Sequence, residues 1–492
     1  MPTRHVAIDL GAESGRVMLG TLDGGRLVLE EIHRFESTQV RVFGHTHWDV
    51  LGMWGQIQKG LVAAAGRGRI DSVSCDSWGV DYVLLRGELS AGLHQPYIYR
   101  DARTDNVYAE VMTDQNAAFI FEQTGIQFMS INTLFQLLAD AAADPGRHVA
   151  AERFLLIGDY FNYLLSGIAA AEASLASTTQ CFDPRTMTWS DELIARFKLE
   201  RDLFPPVVAG GTVLGPVHPT LHDVLPLPEA KVIATASHDT ACAVAACPAS
   251  APAEPDTDWA FLSSGSWSLL GMQTPEPVIH DKAREYNFTN EVAYGGQIRL
   301  LKNISGLFIL QELRKEIAPD VSYAELAQQA AEAEPLRTLI RPDDAPFARP
   351  GDMAAKIAGY CRRTNQPVPR TPGEYTRCVY ESLALLYGVT LKRLAELTGR
   401  TPGVLHVVGG GSKSELLNQL AADATGISVV AGPAEATAVG NCLIQAIACG
   451  QLASLEELRE VVRNSFDVKR YEPKPDSRLR EAARRFEALP LT

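Results

Sequence analysis

Ala7-Ile8-Asp9-Leu10-Gly11-Ala12-Glu13-Ser14-Gly15-Arg16-Val17-Met18-Leu19-Gly20 is an apolar run, a short Ser/Gly turn and a second apolar run that ends in glycine. The pattern predicts a β-hairpin whose turn is built from small residues. Phe261-Leu262-Ser263-Ser264-Gly265-Ser266-Trp267-Ser268-Leu269-Leu270-Gly271 repeats it in the second half of the chain. One such turn says little. Two of them, each near the start of its half, imply duplicated domains that face each other across a cleft.

The rest of the chain agrees with a two-domain α/β protein. Its 492 residues exceed a single core and suit two domains of roughly 200–250 residues. Cys247-Pro248-Ala249-Ser250-Ala251-Pro252-Ala253-Glu254-Pro255-Asp256 has linker composition and lies near the midpoint, which places domains over 1–247 and 257–492. Both halves mix short β-branched runs with helical periodicity. Val379, Leu383, Leu386, Thr390, Leu394 and Leu397 recur at three- and four-residue intervals and predict one long amphipathic helix packed on a sheet.

Composition excludes several classes of function. Hydrophobic residues at 46% and charged residues at 21% fit a folded soluble protein. A formal charge of −14 argues against a surface for nucleic acid, so any anion must be held by a few placed amides and cations. No apolar run approaches the roughly 20 residues that cross a bilayer. Val6 to Leu10 reads as a buried strand rather than a signal peptide, so a cytoplasmic location is expected. The eight cysteines show no metal-ligand spacing and read as small core residues. Cys361 and Cys378 can face each other across a helix–loop–helix, but a reducing compartment argues against a bond.

Several segments carry candidate chemistry. The first hairpin lacks Gly-x-Gly-x-x-Gly and Gly-Lys-Ser/Thr, yet its glycines let backbone N–H groups approach a phosphate. Asp9, at the end of its strand, is placed to hold magnesium through water, and Arg16 adds positive charge. Taken alone, the segment equally fits a surface hairpin with an acidic end. Gly409-Gly410-Gly411 follows the strand Val404 to Val408 and offers a flat backbone for a planar base. Ser412 and Glu415 read as a capping box for a helix from Glu415 to Ala424 that Gly426 closes.

Asp239, after the strand Val232 to Ala234 and before the small-residue run Ala241 to Ala246, falls at a helix N-terminus. There it can accept the proton of an attacking hydroxyl, or simply cap the helix. Asp76-Ser77-Trp78-Gly79-Val80-Asp81 links two apolar strands, with Trp78 as an apolar wall and Gly79 as a point of close backbone approach. With Arg100-Asp101-Ala102-Arg103 it suits a polyol pocket, and each also fits a structural turn. His45 and His47, followed by Asp49, suggest a metal site, but no third ligand is evident, and the segment reads as a loop before a helix capped by Asp49.

The hairpins, Asp-Ser-Trp-Gly-Val-Asp, Tyr99 to Thr104, Ser237-His238-Asp239-Thr240 and the triple glycine, in that chain order, resemble the FGGY carbohydrate kinases. Ser130 to Leu137, Leu301 to Leu307 and Ala431 to Thr437 extend the likeness over nearly the whole chain. The resemblance implies two ribonuclease-H-like (actin-like ATPase) domains that flank a catalytic cleft. It implies Asp239 as general base, and Gly79, His238, Thr240 and Asn303 as sugar contacts. It places Ala12, Glu13, Ser14, Gly15, Arg16, Ser266, Gln311 and Gly410 against ATP, with Mg2+ accompanying the nucleotide.

Within the family the likeness is strongest to the branch that phosphorylates the 1-hydroxyl of L-rhamnulose. Rival readings are a kinase of L-fuculose, L-ribulose or xylulose, and an actin- or chaperone-like ATPase. The sugar-site set stands against the ATPase. Glu13 departs from the small polar residues usual in the phosphate hairpin, so its carboxylate is expected to point away. Ser266 stands where a threonine is frequent and keeps the hydroxyl.

Overall fold

The computed structural model describes residues 2–249 and 258–491. Most of the linker-like stretch therefore lies outside the described residues. Strands β1 (Thr3–Leu10), β2 (Ser14–Asp23) and β3 (Arg26–Glu36) form an antiparallel meander. They continue into β4 (Ser72–Ser77), β5 (Thr212–Pro216) and β6 (Lys231–Ala234) in the sheet order β5-β6-β4-β1-β2-β3. β1 is parallel to β4, and β4 to β6. The last six residues of β1 are buried, which accounts for an apolar run without alternation.

The second sheet repeats that order. Strands β7 (Trp259–Ser264), β8 (Trp267–Thr274), β9 (Ile298–Ser305), β10 (Val404–Val408) and β11 (Ser428–Ala431) run β9-β8-β7-β10-β11. β7 and β8 are the antiparallel hairpin, and β7, β10 and β11 are parallel. Each sheet thus places its hairpin strand beside two parallel strands, as expected of duplicated ribonuclease-H-like domains.

The two compact units are each assembled from separated stretches of chain. The first comprises Met1–Ala246, Gln273–Leu300 and Ala436–Ser465; the second comprises Cys247–Met272, Leu301–Glu435 and Phe466–Thr492. The physical reason is visible at Ala436–Ala448, a helix packed on β1 and on Asp239–Ala245. Its Gln445 donates to the Val6 carbonyl at 3.0 Å and accepts from Ser72 Oγ at 2.6 Å. Between β4 and β5 the first unit carries a further core in which Phe154, Trp189 and Phe204 meet edge to face.

The predicted long helix spans Pro372–Thr398, with Thr371 accepting from the Glu374 N–H at 3.2 Å and Gly399 closing it in the left-handed conformation. The helix after the triple glycine spans Glu415–Thr425 and ends at left-handed Gly426. Its expected capping box is absent. Ser412 Oγ instead donates to the Gly409 carbonyl at 2.8 Å, and Ser414 occupies the cap without a side-chain bond. A short 3-10 turn, Gly410–Lys413, displaces Ser412 from the helix start. Glu415 pairs with Lys469 at 2.5 Å. All eight cysteines are free thiols, Cys361 and Cys378 included. Among the described residues no helix is long and apolar enough to cross a membrane.

Candidate active site

The first hairpin closes tightly. The Gly11 N–H donates to the Ser14 carbonyl at 3.0 Å, and Ser37 Oγ donates to the Gly11 carbonyl at 2.6 Å. Glu13 is exposed, in keeping with a carboxylate turned outward, while its carbonyl accepts from the Ser37 N–H at 3.2 Å. Asp9 and Arg16 are register partners across the hairpin and form an ion pair at 2.5 Å. On its other side Asp9 is in register with Asp76 of parallel β4.

Asp76 is fully buried, and its Oδ1 has no hydrogen-bond partner among the described residues. Burial, and then the nearby charge of Asp9, pushes its carboxyl well above the usual range. Both carboxyls supply hard oxygen donors, the chemistry magnesium selects. Among the described residues no group of three or more His, Cys, Asp or Glu is arranged to hold a metal.

The bend after β4 is joined to the Asp239 loop. The Ser77 N–H donates to the Ser237 carbonyl at 2.9 Å, and Ser77 and His238 form a parallel bridge. Trp78 is scaffold rather than an open apolar wall. Its buried indole packs at 4.4 Å on Trp48 and donates to Asp81 at 3.0 Å. Gly79, expected to admit a ligand, has a packing reason to be glycine. A Cβ there would lie 2.7 Å from Thr178 Oγ1, and Val80 beyond it has φ 69°.

In the Arg100–Arg103 group, Arg103 bonds Asp140 at 3.1 Å and lies 4.1 Å over the Tyr97 ring, so its role is structural. Asp101 accepts from the Arg103 N–H at 3.0 Å and the Thr46 N–H at 2.9 Å. His45 bonds Asp101, and His47 bonds the Gln95 carbonyl. His45–Trp48 is a strand rather than a loop, and Asp49 caps the next helix as expected.

Asp239 is the first residue of its helix, after His238. Its hydrogen bonds among the described residues fall on Oδ1, which accepts from the Thr240 N–H at 2.5 Å and Thr240 Oγ1 at 3.1 Å. His238 Nε2 stands 3.4 Å from the same oxygen. The Asp239 side chain is 30% exposed. Sequence reasoning missed what holds this loop. Glu172, buried and raised above its usual range by that burial, accepts from the Ser237 N–H at 2.9 Å and from Ser174 Oγ. Ser174 Oγ in turn accepts from the His238 N–H at 3.1 Å. Arg299, wholly buried in β9, bonds His238 Nδ1 at 3.0 Å and pairs with Glu291 at 3.2 Å. Its only sequence signal was a lone arginine in the apolar run Ile298 to Leu301.

In the second unit the expected nucleotide residues gather at the second hairpin. The Ser266 carbonyl accepts from the N–H groups of Gly306 and Phe308, both at 3.1 Å. Phe308 opens the helix Phe308–Ile317, where the buried Oε1 of Gln311 has no partner among the described residues. Gly411 is pressed on Ser264 at the end of β7, whereas a Cβ on exposed Gly410 would meet nothing within 4 Å. Asn303 lies half-buried in β9. Next to it is Lys302, whose ammonium is drawn down to about 8 by burial.

The chain matches the N-terminal domain of the FGGY family of carbohydrate kinases over residues 5–246 and the C-terminal domain over 260–449. It belongs to that family. Proteins named rhamnulokinase are similar over nearly the full length. The one from Bacteroides thetaiotaomicron is 42% identical over 474 residues, covering 96% of each chain. That from Enterococcus faecalis is 40% identical over 489 residues, covering 98% of this chain and 97% of its own. Among solved structures, a xylulose kinase from Lactobacillus acidophilus superposes with a TM-score of 0.80 at 17% identity, over 99% of this chain and 96% of that one. Glycerol kinase from Plasmodium falciparum, with ADP, gives 0.77 at 16%, over 99% and 97%. At such identities these two establish the fold of this carbohydrate kinase and nothing finer.

Proposed function

We propose that the chain transfers the γ-phosphoryl group of ATP to the 1-hydroxyl of L-rhamnulose, giving L-rhamnulose 1-phosphate and ADP in cytoplasmic L-rhamnose catabolism. Asp239 carries the reading: one carboxylate oxygen is committed to Thr240, and the other, which has no bond among the described residues, is left to receive a proton. Support for the sugar comes from relatives named rhamnulokinase at 36–42% identity over nearly the whole chain.

In this reading Asp239 Oδ2 takes the hydroxyl proton as that oxygen attacks phosphorus, the new O–P bond forms, and ADP leaves. Gly79, His238, Thr240 and Asn303 hold the sugar. Ala12 to Arg16, Ser266, Gln311 and Gly410 hold the nucleotide. Asp9, with Asp76 behind it in register, would hold magnesium. The ion, when bound, offsets charge on the phosphates.

The test is product identification. Phosphorus NMR of a reaction with Mg-ATP and L-rhamnulose should show a phosphomonoester coupled to the C1 methylene. A phosphate at another carbon, or none, overturns the assignment.

A further inference from the structure

Arg299 shares β9 with Asn303 but is turned to the His238 ring, and its guanidinium can donate there but not accept. Its Nη2 lies 3.0 Å from His238 Nδ1 with hydrogen-bond geometry. A guanidinium only donates, so Nδ1 must accept and be free of hydrogen. A neutral ring with an accepting Nδ1 carries its hydrogen on Nε2. Nε2 is the nitrogen that stands 3.4 Å from Asp239 Oδ1.

The surroundings favour this arrangement. Glu291 Oε2 lies 3.3 Å from Nδ1 and 3.2 Å from Arg299 Nη2, both as ion-pair contacts without hydrogen-bond geometry, so the hydrogen bond at Nδ1 is the one from Arg299. That pairing keeps the guanidinium charged in a site where burial pulls it down. Arg299 Nε and Nη2 donate to the Val292 carbonyl, which fixes the plane of the fork. Arg299 Nη1 is buried without a partner among the described residues. An apolar side chain would support the strand without burying that donor. The retained interaction is the one to His238.

We propose that Arg299 is a positioning residue that locks His238 in the Nε2–H tautomer, so that the Nε2–H faces Asp239 Oδ1 and Oδ2 is left to take the substrate proton. The proposal rests on the reading of Asp239 as general base. It adds a relay, Glu291 to Arg299 to His238 to Asp239, in which each member orients the next.

The test begins with the unaltered protein. Long-range proton–nitrogen NMR on chain labelled with 15N-histidine assigns the His238 signals as those lost in His238→Asn. The expected result is a pyridine-like Nδ1 and a pyrrole-like Nε2 at neutral pH. A protonated Nδ1 overturns the proposal, whatever the activity. Arg299→Met should then give a mixed or reversed tautomer and a kcat lowered roughly 10- to 100-fold. KM for ATP should stay unchanged, and Arg299→Lys should recover much of the loss. Unchanged tautomer and kcat in a folded Arg299→Met protein contradict it. The NMR result bears on Arg299, whereas sugar turnover by the unaltered chain bears on the proposed function, so the two can fail separately.

Discussion

Asn441 donates from Nδ2 to Oδ2 of Asp76 at 2.5 Å although 365 positions separate them in sequence. The bond ties the helix Ala436–Ala448 to the strand that lies beside Asp9. It is one link in a buried polar chain. Asn441 Oδ1 accepts from Gln445, Gln445 accepts from Ser72, and Ser72 bonds His5 Nδ1 at 2.7 Å. Because Ser72 spends its hydrogen on Gln445, the His5 ring must donate to it.

Asn441→Leu removes the one hydrogen bond that the Asp76 carboxyl has among the described residues and leaves both of its oxygens buried without partners there. The expected cost is about 1–3 kcal/mol of stability, read as a lower midpoint in urea with the slope unchanged.

Asp239→Asn keeps the shape of the site and removes the proton acceptor. Turnover should fall by about 10²–10⁴-fold or more, with ATP affinity largely intact by calorimetry. Near-normal turnover would remove Asp239 from the role of base.

Gly79→Ala places a methyl against Thr178 Oγ1 in the bend that ends at left-handed Val80. The bend must shift, so kcat/KM for the sugar should fall roughly 10- to 100-fold. Thr178→Ala in the same chain should restore part of it, because the nearest clashing atom is then gone.

His5 supplies a pH test. Burial holds its imidazole down to about 4, from the ordinary value of 6.5. The unfolded chain therefore binds a proton that the folded one refuses between those values. Stability from this group is complete above about pH 6.5 and is lost as pH falls toward 4, by at most about 3 kcal/mol. His5→Asn should flatten that part of the melting-temperature profile.

Much of this was legible in the sequence. The hairpins were readable because apolar strands and small-residue turns are local signals, and both formed where expected. The Pro372–Thr398 helix followed from its stripe. The failures were places where space overrides spacing. Ser412 and Glu415 have capping-box spacing, but a 3-10 turn intervenes and each side chain goes elsewhere. Trp78 looked like a wall and proved to be a donor to Asp81, because Trp48 arrives from a distant segment. Glu172, Glu291 and Arg299 carry no motif at all. Their meaning arises only when three separated strands and turns converge on His238.

The most direct test of the account is coupled ADP release with Mg-ATP over L-rhamnulose, L-fuculose, L-ribulose, xylulose and no sugar. The account predicts sugar-dependent turnover with the highest kcat/KM on L-rhamnulose. A maximum on another sugar would contradict the proposed substrate, and ADP release indifferent to every sugar would contradict the assignment of Asp239 as the base for a sugar hydroxyl.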